Sequence, residues 1–182
     1  MGDINQLLFI KKHIEKIKGP ILEVGSKDYG NTQDLRSLFK GVDYTGIDME
    51  GGKGVDMVLD LTEDFNLIES KLGNKRFKTI ICFSVLEHCI GPFKMCSNME
   101  KLLEKGGLVF ISVPFSWRIH GYPNDYWRFT PEGIKALFPN LKFELNDGCL
   151  ATGKVGVAEP IDNYMLRAEL DIEKARKRKV YG

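Results

Sequence analysis

Short apolar segments alternate along this chain with segments of helical periodicity. Several of the apolar segments, such as "FKTIICFS" and "LVFISVP", are apolar at consecutive positions instead of at every second one. A strand has this composition when both of its faces are covered, as in a parallel sheet between two layers of helices. The pattern therefore predicts an α/β fold: a Rossmann-like, doubly wound, mostly parallel sheet of six or seven strands with helices on both faces.

The predicted elements follow one another in a regular order. Six strands are predicted in "ILEVG", "VDYTGID", "VDMVLD", "FKTIICFS", "LVFISVP" and "LKFEL". Helices are predicted over residues 4–17, around Leu35–Phe39, after a cap at Thr62, from Pro92, and from Thr130 to about Phe138. After about residue 148 the pattern weakens: "CLATGKVGVAE" fits a strand or a loop, and "YMLRAELDIEKARKRK" predicts a terminal helix.

Length and composition predict one globular domain. The chain has 182 residues, 43% of them hydrophobic, and a formal net charge of +1. We divide it into an N-terminal helix (1–18), a core (20–146) and a C-terminal part of uncertain structure (147–182). No apolar stretch approaches the roughly 20 residues that cross a bilayer, and the N-terminal segment lacks the pattern of an export signal. We therefore expect a cytoplasmic protein without membrane contact.

The cysteines and the charges argue against several kinds of site. The four cysteines form no C-x-x-C pair, which favours buried free thiols over a disulfide or a metal cluster. A near-neutral net charge argues against a duplex-binding protein, so nucleic acid is an unlikely partner. The basic run from Lys174 to Lys179 is typical of a solvated tail, with anion contact as the alternative. The sequence does not predict the oligomeric state.

Polar and small residues follow the predicted strands where a ligand would bind. In open parallel sheets ligands bind at the carboxyl ends of the strands. The segments at these ends are "GSKDYG", "DMEGG", "DLTED", "SVLEH" and "PFSWRIHGYPNDYWRFT". A glycine turn after the first strand and an acid after the second occur with two cofactor classes, the dinucleotides and S-adenosylmethionine.

The glycine turn argues against a dinucleotide. The dinucleotide fingerprint would map onto Gly25, Lys27 and Gly30, with Asp48 as the ribose acid. Its middle glycine lets the backbone approach a pyrophosphate, and Lys27 occupies that position. S-adenosylmethionine carries no phosphate, so a basic residue there is tolerated. Carboxylates at two neighbouring strand ends suit its ribose hydroxyls and adenine amine.

The order of the motifs resembles a known family. Glu23, Gly25, Asp48 and Asp60 are followed by "FSVLEHC" and "LLEKGGLVFISVP". This succession resembles the class I S-adenosylmethionine-dependent methyltransferases of the small single-domain type with an LEH motif after strand four, over roughly residues 20 to 145. At two of the usual turn glycines the chain has Lys27 and Tyr29 instead.

The resemblance implies a cofactor site for S-adenosyl-L-methionine. Its residues would be Glu23, Gly25, Ser26, Lys27, Asp48, Met49, Asp60, Leu61, Phe83 and Ser84. Among them, Glu23 and Gly25 would receive the methionine end, Asp48 the ribose, Asp60 with Leu61 the adenine, and Phe83 and Ser84 the sulfonium. Metal-assisted relatives carry extra Glu and His around the "EH". Here Ser84 and Pro92 stand at those positions, so we expect no catalytic metal.

The segment 115–129 is rich in aromatic residues and is predicted to cover the substrate. Its candidate substrate-binding residues are Tyr122, Asp125, Tyr126, Trp127 and Arg128. A packed aromatic lid in which Arg128 pairs with Asp125 is the alternative interpretation. His120 and His88 are the candidate catalytic residues, because imidazole titrates near neutral pH. We expect His120 to act as a base or substrate contact and His88 to have a positioning role.

These observations predict a methyltransferase acting on oxygen or nitrogen of a small polar molecule such as a sugar or a secondary metabolite. The first alternative is a non-catalytic S-adenosylmethionine-binding or scaffold protein with the same fold. A second is a nucleic-acid or protein methyltransferase that uses the basic tail. It is disfavoured because "FSVL" stands where enzymes that methylate base amines tend to carry an N-P-P-Y-type tetrapeptide.

Overall fold

The computed structural model describes residues 4–30, 32–121, 123–151 and 163–170. Its helices are α1 (Ile4–Lys12), α2 (Phe65–Lys71), α3 (Pro92–Leu102) and α4 (Pro131–Leu137). Its strands are β1 (Ile21–Val24), β2 (Tyr44–Asp48), β3 (Met57–Val58), β4 (Phe77–Phe83), β5 (Leu103–Pro114), β6 (Leu141–Ala151) and β7 (Asn163–Leu170). Short 3₁₀ turns occur at Ile14–Lys16, Arg36–Phe39 and Leu86–His88.

The strands form one sheet in the order β3-β2-β1-β4-β5-β7-β6. Strands β1 to β5 pair in parallel. The sheet is mostly parallel, as predicted, but only these five of its seven strands pair in parallel, and β7 extends the sheet by antiparallel pairing with both β5 and β6. Strands β2 and β3 lie on one side of β1, and β4 and β5 lie on its other side, so the direction in which strands are added to the sheet changes at β1. The carboxyl ends of β1, β2 and β4 therefore face a crevice suited to a ligand.

Strand β7 corrects the prediction of a terminal helix. Asn163–Leu170 forms a strand, paired from Leu108 to Pro114 of β5. The open edge of β5 offers a full row of backbone hydrogen bonds, and such tertiary pairing overrides the helical tendency of a short segment. The remainder of the predicted helix and the basic run lie outside the described residues.

Two hydrophobic layers cover the two faces of the sheet, as predicted. One layer contains α2, α3 and α4, whose buried residues include Ile68, Met99 and Ile134. The other contains α1 and the turn at Arg36–Phe39, with Phe9 and Phe39 among its buried residues. Neighbouring residues of β4 belong to opposite layers, because successive side chains of a strand point to opposite faces. Both faces of the parallel strands are therefore covered, which explains their continuously apolar sequences.

Three predicted helices differ in detail from the structure. The opening helix ends at Lys12 and continues as the 3₁₀ turn Ile14–Lys16, and the helix after β1 is only the 3₁₀ turn Arg36–Phe39. The cap of α2 is Asp64, which accepts a hydrogen bond from the amide of Asn66, and not Thr62. The helix begins at Phe65, so Thr62 lies two residues before the cap position, and its hydroxyl donates to Asp60 instead.

The expectations for cysteines and membranes are tested within the described part of the chain. Cys82, Cys89 and Cys96 are buried free thiols, and burial raises the pKa of each. The side chain of Cys149 lies outside the described residues. In the same part of the chain, no helix combines the length and the apolar character that crossing a membrane requires.

Candidate functional site

A cavity of about 320 Å³ opens at the carboxyl ends of β1, β2 and β4. Its walls are largely apolar, with a few polar groups at one side, as is typical of a small-molecule site. It is lined by Val24, Gly25, Tyr29, Ile47, Asp48, Met49, Glu50, Leu59, Asp60, Leu61, Ser84, Val85, His88, Cys89, Met95 and Pro123. We call it the main cavity. Six of the ten predicted cofactor residues line it: Gly25, Asp48, Met49, Asp60, Leu61 and Ser84.

Gly25 forms the turn at the end of β1. Its φ of 76° lies in the left-handed region that favours glycine. A Cβ at this position would lie 2.3 Å from Cγ2 of Val85, so the turn approaches the loop after β4 very closely. The amides of Gly25 and Ser26 both donate to the carbonyl of Ile47, at 2.9 and 3.0 Å. The chain therefore leaves β1 directly beside the end of β2.

Asp48 ends β2 and is held by two backbone amides. The amide of Lys27 donates to its Oδ2 at 3.2 Å, and the amide of Glu50 donates to its Oδ1 at 3.1 Å. The Lys27 ammonium pairs with Glu50 at 2.6 Å, which raises its pKa, and it also lies 5.1 Å from the centre of the Tyr29 ring. Lys27 therefore orients Asp48 through its backbone, and it does not line the main cavity.

Asp60 reaches the main cavity from the loop after β3. Its Oδ1 accepts hydrogen bonds from the amide of Thr62 at 2.7 Å and from the Thr62 hydroxyl at 2.8 Å. The carbonyl of the buried Leu61 accepts from the side-chain amide of Asn98 at 2.8 Å. The loop is thus fixed on both sides, and Asp48 and Asp60 line the same cavity as predicted.

Glu23 and Ser26 lie on the other side of the turn. Both line a second cavity of about 330 Å³, which is bordered by charged residues of the 28–36 and 53–56 segments. Glu23 accepts a hydrogen bond from the Tyr44 hydroxyl at 2.9 Å, and burial raises the pKa of its carboxyl group. Phe83 packs in the core instead of facing either cavity. The structure therefore does not bring Glu23, Ser26, Lys27 or Phe83 to the main cavity.

Ser84 begins the loop after β4 in a left-handed conformation, with φ 52°. Its amide donates to the carbonyl of Ser112 at 2.8 Å. Its hydroxyl accepts a hydrogen bond from Nε2 of Gln6 at 2.9 Å, and the same nitrogen donates to the Ser112 hydroxyl at 2.9 Å. Sequence reasoning missed Gln6. The sequence offered one indication: Gln6 is a polar residue on the apolar side of the opening helix. In the structure Gln6 is only 1% exposed.

The "LEH" stretch forms the 3₁₀ turn Leu86–His88 beside the cavity. His88 lines the main cavity, and its Nδ1 lies 2.6 Å from the carbonyl of Asn124. Glu87 is 1% exposed, and burial raises the pKa of its carboxyl group to about 7. Burial also lowers the pKa of His88. The ring of His120 lies 4.8 Å from that of His88, so the two predicted catalytic residues meet.

The segment 115–129 packs onto this turn. The amides of Tyr126 and Trp127 donate to the carbonyl of Glu87 at 2.8 and 3.3 Å, and Nε1 of Trp127 donates to the carbonyl of Cys89 at 2.8 Å. Tyr126 and Trp127 are 45% and 40% exposed. Tyr122 lies outside the described residues. The segment is therefore anchored by its backbone and one indole, with aromatic surface left for a ligand.

Asp125 and Arg128 contact each other, as in the alternative interpretation of this segment. The Arg128 guanidinium binds both carboxylate oxygens of Asp125 and holds the pKa of that carboxyl group well below its usual range. The Asp125 side chain is only 2% exposed, and it also accepts from the amide of His120 at 2.9 Å. Asp125 therefore organises the segment around His120 and does not line the main cavity.

Several solved structures with a similar fold are methyltransferases, while no protein-family model matches the chain. An S-adenosylmethionine-dependent methyltransferase from Clostridium acetobutylicum has a TM-score of 0.63 at 12% identity, covering 91% of this chain and 90% of that one. The 1,6-didemethyltoxoflavin-N1-methyltransferase of Burkholderia thailandensis, with bound 1,6-didemethyltoxoflavin and S-adenosylhomocysteine, has a TM-score of 0.65 at 16% identity, covering 91% and 76%. The N-methyltransferase NodS of Bradyrhizobium japonicum, in complex with S-adenosylhomocysteine, has a TM-score of 0.62 at 16% identity, covering 91% and 84%. The chain therefore has the fold of the class I S-adenosylmethionine-dependent methyltransferases.

A shorter match exists to a curated protein. The tRNA U34 carboxymethyltransferase of Campylobacter fetus is 34% identical over 70 residues, which cover 38% of this chain. The match spans 23% of that relative's length, so most of the relative lies outside the matched region.

Proposed function

We propose that this chain is an S-adenosylmethionine-dependent methyltransferase. The observation that carries the proposal is the meeting of Asp48 and Asp60 at one cavity beside the turn at Gly25. A carboxylate suits the two hydroxyls of a ribose, and a second one suits an exocyclic amine. The largely apolar walls suit an adenine ring. The fold shared with known S-adenosylmethionine-dependent enzymes supports the same cofactor.

Each cofactor residue has a proposed role. Gly25 receives the methionine end, Asp48 binds the ribose, and Asp60 with Leu61 contacts the adenine. Met49 covers the adenosine, and Ser84 lies beside the sulfonium. The other residues predicted from the resemblance act from outside the main cavity, by shaping the turn and its floor: Glu23, Ser26, Lys27 and Phe83.

The reaction depends mainly on positioning. In methyl transfer the sulfonium starts charged and ends neutral, so the protein has no developing anion to stabilise on the cofactor side. Holding the acceptor in line at about 3–3.5 Å can remove roughly 7–11 kcal/mol of barrier. The aromatic segment 115–129 covers the cavity next to His88 and excludes water, which would otherwise solvate the nucleophile.

The acceptor is proposed to be an oxygen or nitrogen of a small polar molecule. We assign His88, which lines the main cavity, and the neighbouring His120 to the acceptor. Tyr122, Tyr126 and Trp127 are proposed to contact the rest of the substrate, while Asp125 and Arg128 hold the segment in place. The Burkholderia thailandensis enzyme with bound 1,6-didemethyltoxoflavin supports a small-molecule acceptor. A cytoplasmic location belongs to the same proposal.

A nucleic-acid acceptor is the second candidate, because the curated relative is a tRNA-modifying enzyme. The basic run from Lys174 to Lys179 would then contact phosphates. Deletion of residues 171–182 separates the two candidates. With a nucleic-acid acceptor, RNA binding in low salt weakens. With a small-molecule acceptor, turnover is unchanged.

Calorimetry with S-adenosylhomocysteine tests the proposed cofactor site. Asp48→Ala removes the ribose acid and should weaken binding by roughly 10- to 100-fold, the effect of about 1.5–3 kcal/mol lost with charge-assisted hydrogen bonds. Asp43→Ala is the matched control. Asp43 precedes β2 at the opposite end from Asp48 and pairs at 2.7 Å with Lys75. Affinity should stay at the wild-type level in this variant.

Two results would decide against the proposal. Wild-type chain that binds no S-adenosylhomocysteine at millimolar concentration defeats the cofactor assignment. Binding without methyl transfer to any acceptor from a panel of sugars, amines and phenols favours the non-catalytic alternative, which keeps the fold and the cofactor but performs no chemistry.

A further inference from the structure

Three side chains of metal-binding type meet at the edge of the main cavity. They are Glu87, His88 and His120, and one ligand atom from each lies within 4.8 Å of the others. Glu87 and His88 come from the 3₁₀ turn after β4, and His120 comes from the segment packed against that turn. His88 also lines the main cavity, so the cluster borders the space proposed for the acceptor.

Both imidazoles are oriented as in metal sites. Nδ1 of His88 lies 2.6 Å from the carbonyl of Asn124, which can only accept, so this nitrogen carries the proton. Nδ1 of His120 lies 3.1 Å from Oδ2 of Asp125. Metal-bound histidines usually donate their other ring N–H to a carbonyl or a carboxylate. The arrangement leaves Nε2 of each ring as the atom with an available lone pair.

In the described part of the chain, one oxygen of the Glu87 carboxyl group lacks a hydrogen-bond partner. Its Oε2 is buried without a hydrogen bond to any residue that the structure describes, and Nε2 of His88 is in the same situation. The two groups face each other, with Nε2 of His88 at 3.9 Å from Oε1 of Glu87. The Glu87 side chain is 1% exposed and that of His88 is 9% exposed. Burying a carboxylate oxygen without a hydrogen-bond partner is costly, and a bound cation offsets that cost.

We propose that Glu87, His88 and His120 bind a divalent first-row transition-metal ion. Two imidazoles and one carboxylate are the protein ligands of several zinc and non-haem iron sites, whereas magnesium and calcium prefer all-oxygen sites. Ligand atoms at about 2.0–2.2 Å from one ion stand roughly 3–3.5 Å apart. Ligand atoms that lie up to 4.8 Å apart therefore have to approach one another by about 1.8 Å at most, which side-chain rotation can supply.

Three protein ligands leave coordination positions open on the ion. When bound, the ion would polarise an acceptor oxygen and lower the pKa of its hydroxyl. The expectation of no metal weighed only the positions next to "EH" in the sequence. His120 comes from a distant segment, and only the folded chain places it at the cluster. Metal binding itself does not depend on the proposed methyl transfer.

The test uses the tag-free chain, stripped with a chelator and titrated with CoCl2. Visible absorption reports Co²⁺ in an ordered site, and elemental analysis reports Zn²⁺ after dialysis. We expect one ion per chain, with Zn²⁺ displacing Co²⁺. Glu87→Gln and His120→Asn should each weaken Co²⁺ binding by at least about 100-fold, while Glu63→Gln, a surface acid paired with Lys71, should leave it unchanged.

A second variant tests the orientation of His120. Asp125→Asn keeps the shape of the side chain but removes the carboxylate behind Nδ1 of His120, and it should weaken Co²⁺ binding by about 10- to 100-fold. Circular dichroism and thermal melting confirm that each variant is folded. The proposal is overturned if the wild type binds no more Co²⁺ than a Glu87→Gln/His120→Asn double variant. It is also overturned if the single substitutions leave the affinity unchanged. Failure to bind S-adenosylhomocysteine would affect only the proposed methyl transfer.

Discussion

Gly25 is the residue at which the turn after β1 tolerates least change. Its φ is left-handed, and a side chain added there would bring its Cβ to 2.3 Å from Val85. Gly25→Ala should therefore destabilise the chain by about 2–5 kcal/mol, the sum of backbone strain and overpacking. Chemical denaturation measures this change in the free energy of unfolding.

Gly41→Ala is the matched control for that substitution. Gly41 also has a left-handed φ, of 80°, but a Cβ there meets nothing within 4 Å. Its cost should be backbone strain alone, about 1–2 kcal/mol. Equal losses of stability in the two variants would contradict a close approach between the turn at Gly25 and the loop at Val85.

Individual site residues were predictable where strand order alone decides their position. Asp48 and Asp60 each follow a strand of one parallel sheet, and the carboxyl ends of such strands share an edge. Glu23 lies on the face of β1 opposite to Leu22 and Val24, and its hydrogen bond from Tyr44 there is a contact that periodicity does not contain. The sequence raised the pairing of Asp125 with Arg128 only as an alternative, because either residue could also have faced a substrate.

At the scale of elements, the cap of α2 is Asp64 in the structure, whereas the sequence predicted Thr62. Asp64 accepts the amide of Asn66 at 2.9 Å, while Thr62 is engaged with Asp60. Asp64→Ala should lower the free energy of unfolding by about 1 kcal/mol, and Asp64→Asn by clearly less, because Asn also caps helices. Urea denaturation distinguishes the two. A full loss with Asp64→Asn, or none with Asp64→Ala, would show that the cap lies elsewhere.

The local sequence pattern predicts that most of the helices and strands exist, but it does not predict where they begin and end. All six predicted strands are present, and helices begin at Pro92 and after the Thr130 cap as expected. The helix after β1 shortens to Arg36–Phe39, and β7 replaces a predicted helix. Tertiary contacts determine both differences. The short connection after β1 packs its buried residues against the sheet, and β7 pairs with β5.

For the molecule as a whole, the fold organises the proposed function by bringing distant segments to one edge of the sheet. The turn after β1 and the ends of β2 and β3 supply the proposed cofactor contacts. The turn after β4 and the segment 115–129 supply the proposed acceptor contacts and the proposed metal site. Alternation of strands and helices predicted this edge, whereas the meeting of His88 with His120 required the folded chain.

A crystal structure of the chain with S-adenosylhomocysteine is the most direct test of the proposed cofactor site. We expect the ribose hydroxyls on Asp48, the adenine between Asp60 and Met49, and the sulfur directed towards Ser84 and the histidine pair. A nucleoside bound in the second cavity beside Glu23, or a main cavity closed by the protein's own side chains, would contradict it.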